Sequence, residues 1–453
     1  MLKYHTYKES GIEWIGKIPE HWKIEKVRHN FNFGRGLSIT KRDLRDNGVP
    51  CINYGEIHSK FGFSVDPEKH KLKKVDEDYL KTSLNSLLLK GDFVFADTSE
   101  DIEGSGNFSF LDSPRQTFAG YHTVILRRKN EIDYKFLAYF FDSTGFRNQI
   151  RSEVYGVKVF SITQAILKNT SFVIPPTESE QTQIANYLDR KTAEIDKLLF
   201  EKKALVQLYK EEKTAIINQA VTKGINPDAP MKDSGIEWLG KVPKHWEVKK
   251  LKYVAKMLSG NAFSSQDFCE SGIQLIKISN LYNNHLSLDR QPTFLPLEYE
   301  NKYQNWIVTN GDILMSMTGT LGKRDYGFAI LINNTKNKFL LNQRVSKLHS
   351  YSDVISKLLL SILRSEYFLN NLFSKPSGTK QGNFSNEDVL NLKLAYPKSN
   401  TEQSQIVQHI EKESKRIDKK VSKAKKHIAL LLEYRTALIS EVVTGKIKIT
   451  NEV

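Results

Sequence analysis

EQTQIANYLDRKTAEIDKLLFEKKALVQLYKEEKTAIINQAV, residues 180–221, decides the fold. Alternating steps of four and three pick out Ile184, Leu188, Lys191, Ile195, Leu198, Lys202, Leu205, Tyr209, Glu212 and Ile216, and seven of those ten are apolar. No proline or glycine interrupts the run before Gly224. A spacing averaging 3.5 residues, held for about five heptads, is the seam of a coiled coil rather than the wider stripe of a helix lying on a globular core. At about 1.5 Å per residue the rod would be ~60 Å long, and it needs a partner helix to cover its seam.

The partner lies in the same chain. From Thr401 the pattern returns through Ile406, Ile410, Ile417, Ala424, Leu431, Tyr434 and Leu438, with Glu413, Lys420 and His427 at the polar steps. Glu180-Gln181-Thr182-Gln183-Ile184 recurs as Glu402-Gln403-Ser404-Gln405-Ile406, and Val221-Thr222 as Val443-Thr444, 222 residues on. A second block is duplicated too. The stretch from Ser10 to Trp22, containing Gly11-Ile12-Glu13-Trp14 and Pro19-Glu20-His21-Trp22, returns from Ser234 to Trp246 with Gly235-Ile236-Glu237-Trp238 and Pro243-Lys244-His245-Trp246. The molecule therefore reads as two tandem halves, each an irregular aromatic lead-in, a globular segment and a long helix. His21 and His245 read as packed turn residues, because no other His or Cys stands at ligand spacing.

Length and composition agree. At 453 residues the chain calls for two or three domains, and 39% hydrophobic content suffices for packed interiors. No stretch has the eighteen or so apolar residues of a membrane span, and residues 1–14 lack the apolar core of an export signal. Two cysteines, Cys51 and Cys269, stand far apart and read as small core residues of a protein kept in a reducing, cytoplasmic compartment. The net charge of +15 favours a polyanionic partner.

The globular segments, about 23–174 and 247–396, alternate short β-like runs (Asp92–Phe95, Thr123–Leu126, Gln274–Ile278) with short helices near Tyr134–Phe141 and Val354–Leu363, an α+β pattern. They share a frame: Lys90-Gly91-Asp92 matches Asn310-Gly311-Asp312, and Phe160-Ser161 matches Phe384-Ser385. Between the frame points their loops diverge, as two reading modules for different targets would. Small, hydroxyl, amide and basic residues in those loops suit phosphates and base edges: arginine forks onto guanine, and Asn or Gln pairs bidentately with adenine. In the first domain the candidates are Arg35, Ser38, Thr40, Lys41 and Arg42; Thr98, Ser99 and Ser105; and Tyr155, Gly156 and Lys158. In the second they are Asn261, Ser264 and Ser265; Thr318, Thr320, Lys323 and Arg324; Asn342, Gln343 and Arg344; and Thr379, Lys380, Gln381 and Asn383.

Enzymatic patterns fail one by one. Gly319–Arg324 lacks the spacing and the Ser/Thr of a P-loop, and GxGxxG, GxSxG and HExxH do not occur. No Asn/Asp-Pro-Pro-Tyr/Phe stretch of an adenine methyltransferase is present. Pro227-Asp228 followed by Glu247-Val248-Lys249 fits the loose PD…ExK pattern of Mg²⁺-dependent nucleases, but its first half falls in a linker and the first-half counterpart of Glu247–Lys249 is Lys23-Ile24-Glu25. No catalytic residue and no metal ligand is expected.

The paired Ser-Gly-Ile-Glu-Trp-x-Gly-Lys-x-Pro-x-His-Trp lead-ins and the paired Glu-Gln-x-Gln-Ile helices ending in Val-Thr resemble the specificity subunit of type I restriction–modification systems, over essentially the whole chain. The resemblance implies two target-recognition domains, each reading one half of a split, asymmetric site in double-stranded DNA. It implies two long helices packed as an antiparallel coiled coil that sets the half-site spacing and docks two modification subunits. S-adenosylmethionine, ATP and Mg²⁺ would then belong to the modification and restriction subunits, with no cofactor in this chain. The expected organisation is a first recognition domain with lead-in at 1–178, a central helix at 179–222, a linker at 223–232, a second recognition domain at 233–400, a C-terminal helix at 401–445 and a tail at 446–453. Two other readings stay open: a coiled-coil adapter that binds only proteins, and a Mg²⁺-dependent nuclease.

Overall fold

The computed structural model describes residues 2–156, 158–333, 337–374 and 381–450. Both long helices are present, Glu178–Lys223 and Asn400–Val443. The chain forms two compact units, one of residues 1–202 with 426–453 and the other of residues 203–425. The boundary falls inside both helices, so a unit is not a globular segment plus its own following helix. Each unit holds the head of one long helix and the tail of the other, because the apolar residues of each half-helix are buried against the opposite helix.

In the first unit Ile184, Leu188, Ile195 and Leu199 share a core with Leu438, Ile439, Val442 and Val443. Arg435 reaches Asp196 at 3.2 Å. In the second unit Ala220 and Val221 meet Ile406, Val407 and Ile410. There Arg416 bonds Glu212 at 2.6 Å, Lys213 bonds Asp418 at 2.8 Å, and Lys420 lies over the Tyr209 ring at 5.1 Å. Numbers rise on one helix as they fall on the other, which is antiparallel packing.

Ile184, Leu188, Ile195, Ile406, Ile410, Ile417, Ala424 and Leu438 are buried as the heptads predict, while Leu205, Tyr209, Ile216 and Leu431 are half-buried. Two seam positions need correction. Leu198 is 43% exposed whereas Leu199 is 6% exposed, and Tyr434 is 46% exposed while Arg435 turns inward to Asp196 and Asp142. A helix of 3.6 residues per turn drifts against a strict 3.5 repeat, and here the buried face moves on by one residue at both places.

The lead-ins are not irregular. Tyr7–Glu9 pairs antiparallel with Lys17–Pro19, and Met231–Asp233 pairs in the same way with Lys241–Pro243. Each hairpin presses its tryptophan onto the head of a long helix. Trp22 Nε1 donates to Glu180 at 3.1 Å, and Trp246 Nε1 donates to Glu402 at 2.9 Å. His21 and His245 lie beside the same carboxylates. The next helix residue is a buried glutamine that satisfies loop backbone. Gln181 accepts from Asp133 N and donates to Pro175 O, both at 3.0 Å. Gln403 accepts from Ile355 N at 2.9 Å and donates to Asp353 O at 2.7 Å and Pro397 O at 2.9 Å.

In the first unit a five-stranded sheet runs in the order Phe31–Arg35, Thr123–Arg128, Phe93–Ala96, Phe108–Leu111, Phe63–Val65. A four-stranded sheet runs Lys74–Val75, Val49–Ile52, Thr117–Ala119, Leu87–Leu88. Helices Tyr134–Asp142 and Thr144–Arg151 close a phenylalanine-rich core in which Phe141 packs at 4.6 Å from Phe146 and 5.0 Å from Phe93. The second unit follows a similar plan with two four-stranded sheets, a core of mainly aliphatic side chains and helices Ser356–Leu363 and Glu366–Leu372. The α+β expectation holds. Cys51 is buried as expected, but Cys269 is exposed, with its thiol 3.0 Å from Ser271 O.

Candidate nucleic-acid interface

Backbone hydrogen bonds align the two units residue by residue. Gly36 N donates to Thr123 O as Gly260 N donates to Val345 O; Leu37 N to Ala119 O as Asn261 N to Leu341 O; Gly120 N to Ile52 O as Asn342 N to Ile276 O. Asp97 N donates to His122 O as Met317 N donates to Arg344 O. One sequence match shifts by two: Ile162 N bonds Asp97 O and Phe384 N bonds Met317 O, so Ile162-Thr163, not Phe160-Ser161, answers Phe384-Ser385. The hydroxyl explains the register, since Thr163 and Ser385 each cap the next short helix, bonding Ile166 N at 3.2 Å and Asp388 N at 3.0 Å.

A cleft lies beside this frame in each unit, and the two clefts share the positions of Thr98 and Thr318 and of His122 and Arg344. In the first unit the cleft has a volume of about 600 Å³ and is lined by Arg35, Ser38, Asp97, Thr98, Tyr121, His122, Ser161, Thr163 and Gln164. Its rim depends on Gly36, where an added Cβ would lie 1.9 Å from Gly120 O. His122 holds a left-handed backbone (φ 55°), lies 3.1 Å through Nδ1 from Asp97 Oδ1, and packs its ring edge-on 5.3 Å from Tyr54. A polar side chain held at φ > 0 inside a cleft is an arrangement that the surrounding fold has to enforce. In the second unit the cleft measures about 320 Å³ and is lined by Ser279, Tyr282, Arg290, Thr318, Thr320, Asp325, Arg344 and Gln381. Gly260 holds the backbone position of Gly36, with an added Cβ 2.1 Å from Asn342 O, but lies outside the lining of this cleft. The buried Ser279 hydroxyl has no partner among the described residues. Arg290 lies over Tyr282 at 5.5 Å.

Several of the sequence candidates meet in these clefts: Arg35, Ser38 and Thr98 in one, and Thr318, Thr320, Arg344 and Gln381 in the other. Asn342 and Gln343 immediately precede Arg344, Asn261 bridges to Asn342, and Asn383 pairs with Thr318. Others do structural work at the edge. Thr40 caps the turn Lys41–Asp43, and Ser264 caps Ser265–Asp267, which leaves Lys41, Arg42 and Ser265 exposed on those turns. Ser99 is buried and lines a neighbouring cavity with Tyr54 and His58. Tyr155, Gly156 and Lys158 are exposed outside the first cleft, and Lys323 is exposed outside the second.

Two candidates have their polar groups engaged within the fold. Ser105 is wholly buried, with its hydroxyl 3.5 Å from Asp101 O, because the polar loop folds back under itself. Arg324 bonds Asn370 at 2.5 Å and stacks on Phe373. Thr379 and Lys380 lie outside the described residues. Tyr121, His122 and Gln164 in the first cleft, and Tyr282 and Arg290 in the second, were not singled out by the loop chemistry. The signal for the first pair was present: Gly120-Tyr121-His122 stands 222 residues before Asn342-Gln343-Arg344, the offset of the long helices.

The Glu247–Lys249 pair lies on the strand Trp246–Lys250. Glu247 contacts Lys249 at 2.6 Å and Lys398 at 2.8 Å, and those two ammonium groups pull its carboxyl down to about 2. A carboxylate engaged by two lysines is a poor ligand for Mg²⁺, and no group of three or more potential metal ligands exists among the described residues. No helix among them is long and apolar enough to cross a membrane.

Two similar α+β units, each carrying a polar cleft and clamped to half of each long helix, define a two-module recognition protein. The model of the type I restriction modification DNA specificity domain matches residues 19–207 and 243–426, and the chain belongs to this family of type I specificity subunits. It is 29% identical over 458 residues to the type I restriction enzyme MjaVIII specificity subunit of Methanocaldococcus jannaschii, covering 98% of each chain. It is 25% identical over 308 residues to the EcoKI specificity subunit of Escherichia coli, covering 66% of this chain and 62% of that one. Among solved structures, a chain from work on complex assembly and conformational transition of the type I R-M system superposes with a TM-score of 0.68 at 15% identity, over 95% of this chain and 99% of that one. The HsdS subunit from Thermoanaerobacter tengcongensis does so at 0.55 and 15% identity, over 95% and 98%.

Proposed function

We propose that this chain selects the DNA sequence for a type I restriction–modification complex, each unit reading one half of a bipartite, asymmetric site through its cleft. One observation carries the reading. The two clefts share the backbone positions of Thr98 and Thr318 and of His122 and Arg344, and the frame around them carries different side chains: His122 against Arg344, Tyr121 against Gln343, Arg35 against Ser259. A common frame with exchanged polar side chains keeps the mode of contact and changes the bases preferred. The net charge of +15 supplies the sequence-independent attraction to phosphate.

The long helices set the spacing between half-sites and dock two modification subunits, which transfer a methyl group from S-adenosylmethionine to adenine. Restriction subunits contribute ATP-driven cleavage. This chain takes no part in bond making; it positions DNA.

The test is methylation mapping. DNA exposed to the complex of this chain with its modification subunits is sequenced for methyladenine. Two dissimilar short motifs separated by a fixed spacer support the reading, and methylation without sequence preference overturns it. An adapter that binds only proteins would leave duplex affinity unchanged when both clefts are filled by bulky substitutions.

A further inference from the structure

The first unit has a further polar cavity that its recognition cleft does not use. It measures about 660 Å³, and Lys60, Lys71, Lys73, Lys74 and Arg115 converge on it. Two carboxylates line it as well. Glu56 is engaged elsewhere, accepting from Asn53 N and Nδ2 at 3.2 Å to cap the helix Tyr54–Ser59. Asp46 is left to answer the cations: Lys73 bonds it at 2.7 Å, and Lys73 first, then Lys71 and Lys74, hold its carboxyl below the usual range. Lys60, Lys71, Lys74 and Arg115 have no carboxylate partner among the described residues. The lysines thus gather round a single anion and leave a surplus of three positive charges.

The second unit shows that the fold does not require this. Pro50 pairs with Lys74 as Gln274 pairs with Phe294, so Phe294 stands where the first unit has Lys74. The cavity there is lined by Gln274, Phe294, Leu297 and Glu300, and its one cation among the described residues, Lys338, is paired with Glu300.

We infer that the lysine-rich cavity of the first unit is a phosphate-binding site for the backbone of the same duplex, just beyond the first half-site. The inference rests on the duplex reading above. Position favours the duplex over a free polyphosphate. Pro50 and Arg115 stand at the starts of the parallel strands Val49–Ile52 and Thr117–Ala119, and Tyr121 and His122 stand just past the end of the second. At about 3.3 Å per residue the cavity lies ~15–20 Å from the cleft. That is about half a turn of DNA, whose turn is about 34 Å, so a duplex held in the cleft carries phosphates past the lysines. A contact on one flank only would make the footprint longer on the first unit's side.

The test uses the full complex with modification subunits and the triple variant Lys71→Gln, Lys74→Gln, Arg115→Gln, of which Lys71 and Arg115 are exposed and Lys74 half-buried. Anisotropy of labelled duplexes is followed from about 50 to 200 mM salt. One duplex extends about 15 base pairs beyond the first half-site and the other ends at it. With about 0.9 counterions released per phosphate contact, losing three contacts lowers the slope of log K against log salt by two to three. The inference expects that drop on the long duplex alone, with the methylated sequence unchanged. An unchanged slope on the long duplex overturns it, as does an equal drop on both duplexes. A titration with inorganic tripolyphosphate without DNA decides the source: binding abolished in the variant while its duplex slope stays intact assigns the cavity to free polyphosphate and overturns the flank contact. Failure of the duplex reading shows separately, as loss of sequence selectivity in the unsubstituted complex.

Discussion

Arg344→Ala gives the sharpest test of the clefts. The backbone at this position is set by the bond from Met317 N to Arg344 O at 3.1 Å, which the substitution leaves in place. The guanidinium is exposed and has no partner among the described residues, so its removal costs the fold little, within about 0.5 kcal/mol for such a surface change. Its worth lies in the bound state. A bidentate arginine–guanine contact discriminates by about 1–3 kcal/mol, which is about 5- to 150-fold between the right and wrong base pair. Methylation mapping of the variant complex on a randomised-site library should therefore show one position of the second half-site relaxed by that factor, with the first half-site and the spacer intact. His122→Ala, at the equivalent backbone position, should relax one position of the first half-site only. A single neutral hydrogen bond is worth about 0.5–1.5 kcal/mol, so that relaxation should be smaller. A uniform fall in methylation at every sequence would mean that Arg344 touches phosphate, and a change in the first half-site would refute the one-unit, one-half-site reading.

Removing one heptad from each long helix shortens the pair by about 10 Å, so the methylated half-sites should keep their sequences while the spacer between them loses about three base pairs; an unchanged spacer rejects the role of the helices as a ruler. Gln403→Ala deletes three hydrogen bonds from a wholly buried site and should lower the unfolding free energy in urea by about 3 kcal/mol, whereas Gln181→Ala, with two such bonds, should cost less; equal or inverted losses would show that these amides do not hold the helix heads. Glu247 has its folded carboxyl lowered from 4.5 to about 2 by Lys249 and Lys398, so its contribution is complete above pH 4.5 and fades as pH falls from 4.5 towards 2. Acid unfolding of Glu247→Gln should be flatter over that window than that of the unsubstituted chain, and parallel curves would refute the pairing.

The long helices were legible because a heptad pattern leaves little freedom: apolar residues at four-three spacing without Pro or Gly can bury themselves in one way. What pattern could not supply was phase. Leu199 and Arg435 took the inward positions from Leu198 and Tyr434 through a one-residue drift, and Arg435 entered because Asp196 and Asp142 were there to receive it. The lead-in hairpins escaped the reading because each strand is only three residues long, too short for a period of two to show. In the clefts, loop chemistry found Arg35, Thr98, Thr318 and Arg344, but it also chose Ser105, which its own loop buries against Asp101 O, and Arg324, whose partner Asn370 lies on a segment remote in sequence. It passed over His122 and Tyr121 because an aromatic pair beside a strand looks like packing until the Asp97 carboxylate is seen beside it.

The sequence repeat and the structural unit are cut at different places, and the helix ends explain why. The central helix closes at Gly224 (φ 74°), which lies against Trp246 of the second lead-in. The C-terminal helix closes at Gly445 (φ 71°), whose space is bounded by Pro19 and Trp22 of the first lead-in, and Gly445 O accepts from the Tyr7 hydroxyl at 3.2 Å. Leu2 then bridges to Lys448. The junction that residues 224–246 make within one continuous run is thus made in the first unit from the two ends of the chain. The same contacts arise with and without a covalent connection, so the helix-end glycine, the hairpin and its tryptophan are sufficient to form the joint. The unit that burial selects is helix tail, hairpin, reading domain and helix head, and the chain contains it twice, once uninterrupted and once assembled from its termini.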